Sequence, residues 1–273
     1  MDVYDHFTRL SGIEYDKETS LSLAVACLLA YQPDESEVKK IIERWEYQLI
    51  GLESTLKGKD IDTQCYVMEN ADNVVVVFRG TDSIEDWLGN FQAVYDPGPL
   101  NKTKAHEGFQ DALFPAVIAI TRMLEQPIRY SKKLWVTGHS LGGALASLFA
   151  GMLIEHGYAV HGIYTFASPR PGNGSFEVQL NSNVFGPHYR VVNSGDIVPH
   201  VPPEPFYSHP GSRIILKEFG IVDSKGSWFE QRIMALEKFI EKTANLFDVV
   251  DNHSLNADQE SYIPRLIREL NRG

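Results

Sequence analysis

Residues 133–157 put the tightest constraint on what this chain can become. Leu134, Trp135 and Val136 form a short apolar run, Gly138-His139-Ser140-Leu141-Gly142 follows at once, and a helical pattern opens with Gly143-Ala144-Leu145-Ala146. A serine at the tip of so tight a strand-to-helix turn is held in strained backbone, so the residues two before and two after it must be small. Gly138 and Gly142 meet that condition, and Gly143 lets the helix pack close to the strand. The new helix aims its free N–H groups and positive dipole end at the serine, where an anion would be stabilised. This is the spacing of a nucleophile elbow, G-x-S-x-G, and the flanking strand and helix patterns make the match far more specific than five residues alone.

The rest of the chain supplies a fold able to hold such a turn. Helical patterns cover about Thr19–Tyr31 and 35–50, the second with Asp34 and Glu37 spaced as a capping box. Strand-like runs follow at Thr63–Glu69 and Asn73–Arg79, joined by the turn-prone Asn70-Ala71-Asp72. Val74-Val75-Val76-Val77-Phe78 is apolar on both faces, as expected of an interior strand covered by helices. A helix is expected around Pro115–Glu125, with further apolar runs at Gly162–Ala167 and Tyr189–Asn193. Buried strands alternating with helices predict an α/β fold with a mostly parallel central sheet, which places ligands at the carboxyl ends of strands. Thr81, Ser140 and Asp196 all fall just after an expected strand. No repeat, low-complexity tract or linker divides the 273 residues, so one domain over 1–273 is expected. A chain of this length buries roughly 75% of its unfolded surface, enough for a large core.

Charge narrows the partners. With 25 Lys and Arg against 36 Asp and Glu, the net charge of −11 argues against nucleic acid and against adsorption to anionic membranes. The two cysteines, Cys27 and Cys65, lie in apolar helical and strand-like runs and suggest neither a disulfide framework nor a metal site. The first residues, Met1-Asp2-Val3-Tyr4-Asp5-His6, do not read as a secretory signal, which leaves a cytoplasmic protein or a mature secreted form. The longest apolar stretch, Leu21–Ala30, is too short for a transmembrane anchor.

A serine hydroxyl needs a base to take its proton and an acid to orient that base, and on this fold the chain order is Ser, then Asp or Glu, then His. Asp196 follows the strand-like Tyr189–Asn193 on a turn before the stiff Pro199–Pro203 segment, although Asn-Ser-Gly-Asp is also ordinary turn chemistry. Three histidines lie downstream. His200 is only four residues from Asp196 on a proline-rich loop; His209 precedes the strand-like Ser212–Lys217; His253 lies in a loop free to fold back over the site. The residues alone leave His209 and His253 both open.

Four blocks in order, Phe78-Arg79-Gly80-Thr81, Gly138–Ala146, Tyr164–Asn173 and Asn193–Pro203, resemble those of the class 3, filamentous-fungal type triacylglycerol lipases, over roughly residues 63–263. The resemblance implies an α/β-hydrolase fold with a helical lid, and a serine carboxylic-ester hydrolase acting on acylglycerols at an oil–water interface without metal or cofactor. It matches Asp196 to the family's acid and His253 to its base. The aromatic residue that follows the family's histidine is matched by Tyr262 across a longer spacer. It matches Tyr207-Ser208-His209-Pro210 to a segment that is not catalytic. In α/β-hydrolases the oxyanion is held by backbone N–H groups of the residue after the nucleophile, here Leu141, and of a loop residue that the match identifies as Thr81. Feruloyl esterases, phospholipases A1 and mono- or diacylglycerol lipases of the family share these residues, and a non-catalytic lipid-binding module would keep the fold while losing a triad member.

Directly after Thr81, the residues Ile84, Trp87, Leu88 and Phe91 fall at i, i+3, i+4 and i+7, one apolar stripe on a short helix. Such a stripe ordinarily faces a core. Here it resembles the interfacial lid of the family, over about 82–95, whose apolar face would swing outward at a lipid surface and open the site. A second stripe in Trp228–Phe247 (Phe229, Ile233, Leu236, Ile240, Phe247) reads as a core helix or a cap over the acyl groove.

Overall fold

The structure, a computed structural model, describes residues 2–57, 61–81, 92–217 and 252–272. Seven strands form the main sheet: β1 (Gln48–Lys57), β2 (Ile61–Glu69), β3 (Asn73–Phe78), β6 (Lys133–His139), β7 (Gly162–Phe166), β8 (His188–Asn193) and β9 (Ser212–Leu216), in the spatial order β1-β2-β3-β6-β7-β8-β9. The first three pair antiparallel, and β3 through β9 pair parallel. β4 (Tyr95–Pro97) and β5 (Lys104–His106) form a separate two-stranded ribbon.

Period-two alternation builds a core on each face of the sheet. On β3, Val75 and Val77 pack with α1 (Lys17–Leu29), α2 (Glu35–Arg44) and α6 (Tyr262–Asn271). Val74, Val76 and Phe78 pack on the other side with α3 (Glu107–Arg129), α4 (Leu141–Glu155) and α5 (Gly174–Asn183). On β6, Trp135 faces the first layer and Leu134 and Val136 the second. This is why the valine run carries no polar alternation: both faces are dry.

Several boundaries differ from the sequence expectations. α1 starts at Lys17, where the Asp16 carboxylate accepts the Thr19 N–H at 2.6 Å. α2 ends at Arg44 rather than near 50, because Glu46 takes a left-handed backbone (φ 60°) and Gln48 then pairs with Glu69 in β1. Sheet pairing overrides helix propensity there. The Asp34 carboxylate caps α2 by accepting from Ser36 N–H at 2.9 Å rather than through a box with Glu37. α3 runs through Pro115 from Glu107, eight residues before the expected start, since Phe109, Ala112 and Leu113 bury a face of the added turns. The stripe at 84–91 and the segment 228–247 lie outside the described residues.

Register positions the site. Phe78 is level with Gly138, and His139 with Phe166, in the parallel ladder. The loops leaving β3, β6, β7 and β8 therefore emerge on one edge of the sheet, with Gly80 beside Ser140 and Thr81 next in the chain.

Candidate active site

Ser140 sits between β6 and α4 with φ 58° and ψ −131°, a backbone region costing about 1–3 kcal/mol for a residue with a side chain. Two glycines make the turn possible. A Cβ on Gly138 would lie 2.1 Å from the Gly142 carbonyl oxygen, and one on Gly142 would lie 2.3 Å from the Phe78 carbonyl oxygen. Gly143 is tight against the strand, as expected, and against the loop after β7 as well: its Cβ would lie 3.2 Å from the Gly138 carbonyl oxygen and 2.7 Å from the Ser168 Cβ. The ladder continues through the turn, with Ser140 N–H donating to the Phe166 carbonyl at 2.9 Å.

Serine at a helix N-cap commonly spends its hydroxyl on the first free N–H groups. Ser140 does not: it is the N-cap residue of α4 yet makes no side-chain cap bond. Its Oγ is buried without a hydrogen-bond partner among the described residues, and so is His253 Nε2. Leu141, the next residue, is the first of α4, where backbone N–H groups have no intrahelical acceptor. Thr81 is half-buried at the mouth of the β3 loop.

Asp196 and His253, the expected acid and base, are held by several side-chain hydrogen bonds, whereas the Ser140 hydroxyl makes none among the described residues. His253 Nδ1 lies 3.1 and 3.0 Å from the two carboxylate oxygens of Asp196. Asp196 also accepts from Val198 N–H at 2.9 Å and from the Tyr262 hydroxyl at 2.7 Å. A ring that donates from Nδ1 presents a lone pair at Nε2, the tautomer a base needs. Asp196 is 1% exposed and His253 5%, so water competes little for these bonds. Burial, reinforced by the Asp196 charge, pushes the Tyr262 phenol well above its ordinary pKa, which keeps it a donor.

The long spacer between His253 and Tyr262 is held by residues that the sequence did not single out. Asn193 N–H donates to the Tyr262 hydroxyl at 3.0 Å, and its amide nitrogen donates to the Asn252 and Glu260 carbonyls at 2.8 and 3.1 Å. Arg265, 1% exposed, reaches the Leu216 carbonyl, the Asn252 side chain and Glu260. In the sequence Asn193 stands only as the end of a strand and the first residue of the Asn193–Pro203 block, and Arg265 falls in no motif; no spacing rule marks the role of either. His209 is engaged elsewhere, its Nε2 donating to the Pro199 carbonyl at 2.6 Å. Among the described residues no cluster of His, Cys, Asp or Glu could hold a metal ion, and no helix is long and apolar enough to cross a membrane.

With that geometry in hand, similarity to known proteins is informative. The sequence profile described as "Lipase (class 3)" matches residues 75–206. The chain is 32% identical over 228 residues to a lipase of Rhizomucor miehei, across 80% of this chain and 58% of that protein. It is 34% identical over 155 residues to a secreted mono- and diacylglycerol lipase of Malassezia globosa, across 52% of this chain and 51% of that one. A solved triacylglycerol lipase, described as having a serine protease triad as its catalytic centre, superposes with a TM-score of 0.56 at 33% identity, over 64% of this chain and 69% of the other. The chain spans about half the length of the curated relatives it matches. Its fold is that of the α/β-hydrolases, and the chain belongs to the class 3 lipase family.

Proposed function

We propose that this chain is a serine carboxylic-ester hydrolase that cleaves acylglycerol esters through an acyl-enzyme. The observation that carries the reading is a serine at a strained helix N-cap whose hydroxyl is left uncapped, buried together with a histidine whose Nδ1 is bound to a buried aspartate. Ser140 Oγ attacks the ester carbonyl while His253 Nε2 takes its proton, and Asp196 stabilises the imidazolium. The N–H groups of Leu141 and Thr81 hold the oxyanion. The tetrahedral adduct collapses as His253 protonates the leaving alcohol. Water, deprotonated by the same imidazole, then releases the fatty acid and restores Ser140.

The net charge of −11 suits a neutral substrate surface, and the apolar stripe Ile84, Trp87, Leu88 and Phe91 beside Thr81 supports an interfacial lid. An organophosphonate should label Ser140 stoichiometrically and Ser140→Ala should abolish ester turnover; labelling at another residue would overturn the assignment. Substrate class is read from p-nitrophenyl esters of rising chain length set against emulsified triacylglycerol, diacylglycerol and phospholipid. Hydrolysis confined to mono- and diacylglycerols would move the reading toward the activity named for the Malassezia relative.

A further inference from the structure

His139, the residue between Gly138 and Ser140, has its ring among those of Tyr31, His253 and Tyr262. It is 5% exposed, and both ring nitrogens are occupied. Nε2 lies 2.8 Å from the His253 carbonyl oxygen and Nδ1 2.8 Å from the Tyr31 hydroxyl. A carbonyl can only accept, so Nε2 carries a proton. Burial, with the neighbouring His253 as a second cause, drives the His139 pKa well below its ordinary value. The ring is therefore neutral, its Nδ1 is a bare acceptor, and the Tyr31 O–H donates to it. The Tyr31 oxygen in turn accepts the backbone N–H of Gly80 at 3.1 Å.

The directions are thus fixed along the whole series: Gly80 N–H to Tyr31, Tyr31 O–H to His139, His139 N–H to the carbonyl of His253. Its ends are the loop that carries Thr81 and the backbone of the proposed base. Packing leaves this junction no slack. A Cβ on Gly80 would lie 2.5 Å from the Tyr31 hydroxyl oxygen, 2.7 Å from the His139 carbonyl oxygen and 2.8 Å from the Ser140 Cβ. The His139 and His253 rings lie 4.8 Å apart, and Tyr31 meets His139 edge-on at 5.9 Å.

We propose that Tyr31 and His139 are positioning residues that lock the oxyanion loop and the base loop into one rigid unit around Ser140. The inference rests on the hydrolase reading above. Neither residue touches the ester. Tyr31 sets where the Gly80–Thr81 backbone stands, and His139 sets where the His253 backbone stands, so that donors and base are held before substrate arrives. A bond series in which each group is at once donor and acceptor resists being broken at one link more than isolated bonds do.

The test is Tyr31→Phe, which removes the hydroxyl and keeps the ring. Turnover of a dissolved p-nitrophenyl ester is measured per active site titrated with an organophosphonate, so that misfolded molecules drop out. We expect kcat per site to fall about 10- to 100-fold, the scale of a displaced oxyanion donor, while KM stays within about threefold. Affinity for a boronic acid, which binds the serine as a tetrahedral anion, should fall in parallel with kcat. His139→Gln, whose amide still donates to the His253 carbonyl, should retain more activity than His139→Leu. Tyr31→Phe combined with His139→Leu should cost less than the product of the two single losses, because both cut one series. A Tyr31→Phe enzyme with parent-like kcat per titrated site, or with only a smaller fraction of titratable sites, overturns the proposal. Ser140→Ala run alongside separates that failure from a failure of the hydrolase reading: if the alanine variant remains active, the nucleophile is wrong; if it is dead while Tyr31→Phe is unimpaired, only the positioning claim falls.

Discussion

Tyr262→Phe probes the acid side of the site with the smallest possible perturbation. One oxygen is removed from a fully buried ring, and the apolar contacts of Tyr262 in the core remain. Two bonds disappear: the phenol's donation to Asp196 at 2.7 Å, and the donation it receives from Asn193 N–H at 3.0 Å. The first ends on a buried carboxylate, for which a net contribution of about 1.5–3 kcal/mol is typical. The second leaves a buried backbone N–H unsatisfied, a cost of about 1–3 kcal/mol if no water replaces the hydroxyl. Not all of this reaches the chemistry. Asp196 keeps Val198 N–H and the imidazole, so the carboxylate stays in place but loses the clamp on the oxygen nearest Tyr262.

We therefore expect kcat to fall about 10- to 50-fold, far short of the roughly 10⁴-fold seen when a triad aspartate itself is neutralised. Stability should fall by about 2–4 kcal/mol, which for a chain of this size moves Tm by about 4–15 °C. The assays are p-nitrophenyl butyrate turnover per titrated site and a thermal unfolding curve. A kcat within twofold of the parent, with Tm unchanged, would mean that the Tyr262–Asp196 bond orients nothing and that the argument from geometry is wrong.

His253→Ala should cost about 10³-fold or more in kcat, because triad members act as a unit, whereas His209→Ala should lower Tm through its lost bond to Pro199 with kcat nearly intact; reversed results in a turnover assay would move the base to His209. Acid should weaken the fold: burial lowers the His106 pKa to about 4 and that of His139 well below its ordinary value, so both stay neutral when folded and protonate when unfolded. Depressed histidines add nothing to stability above the unfolded pKa of ~6.5 and subtract from it below, by about 2 kcal/mol between pH 7 and pH 5 for His106 and in the same direction for His139, which urea titrations across that range would register and a flat profile would contradict. Trp87→Ser should reduce hydrolysis of emulsified long-chain esters far more than that of a dissolved short-chain ester, since a Trp moved from water to an apolar phase contributes about 1.5–3 kcal/mol or more; equal impairment on both would make the 84–91 stripe a core face.

What was legible in the sequence follows from what kind of interaction sets each element. The β3 valines and the glycine spacing around Ser140 are local demands, one for dry faces and one for empty space, and local demands leave local signatures. The early end of α2 and the existence of β1 were not legible, because Gln48 joins the sheet through Glu69, 21 positions away, and Trp45-Glu46 reads equally well as helix. Likewise the residues could not choose between His209 and His253. That choice depends on where a chain returning after dozens of residues comes to rest, and only resemblance supplied it before the geometry did.

The same distinction explains why the supports of the site escaped notice while its reacting groups did not. Ser140 and Asp196 stand on tight turns next to strands, where the backbone dictates residue type. The bonds of Asn193 to Tyr262, Arg265 to Leu216, Tyr31 to Gly80 and His139 to His253 span 49 to 114 positions, and each residue does a job that many polar residues could do at some other spacing. Their roles have no spacing signature, even for His139 and Asn193 that stand inside motifs, because their partners are defined in space, largely through hydrogen bonds to backbone carbonyls and N–H groups that every residue carries. Yet they carry the demand that a strained serine makes of its surroundings. A serine held at φ 58° stays there only if the neighbouring loops are over-determined. Here two sets of bonds do that: Asn193, Tyr262 and Arg265 hold Asp196 and the returning loop, and Tyr31 and His139 tie the His253 backbone to the loop after β3. Loosening either set should cost rate and a share of stability without unfolding the sheet, because Tyr262 and Tyr31 belong to or pack against only one of its two apolar cores.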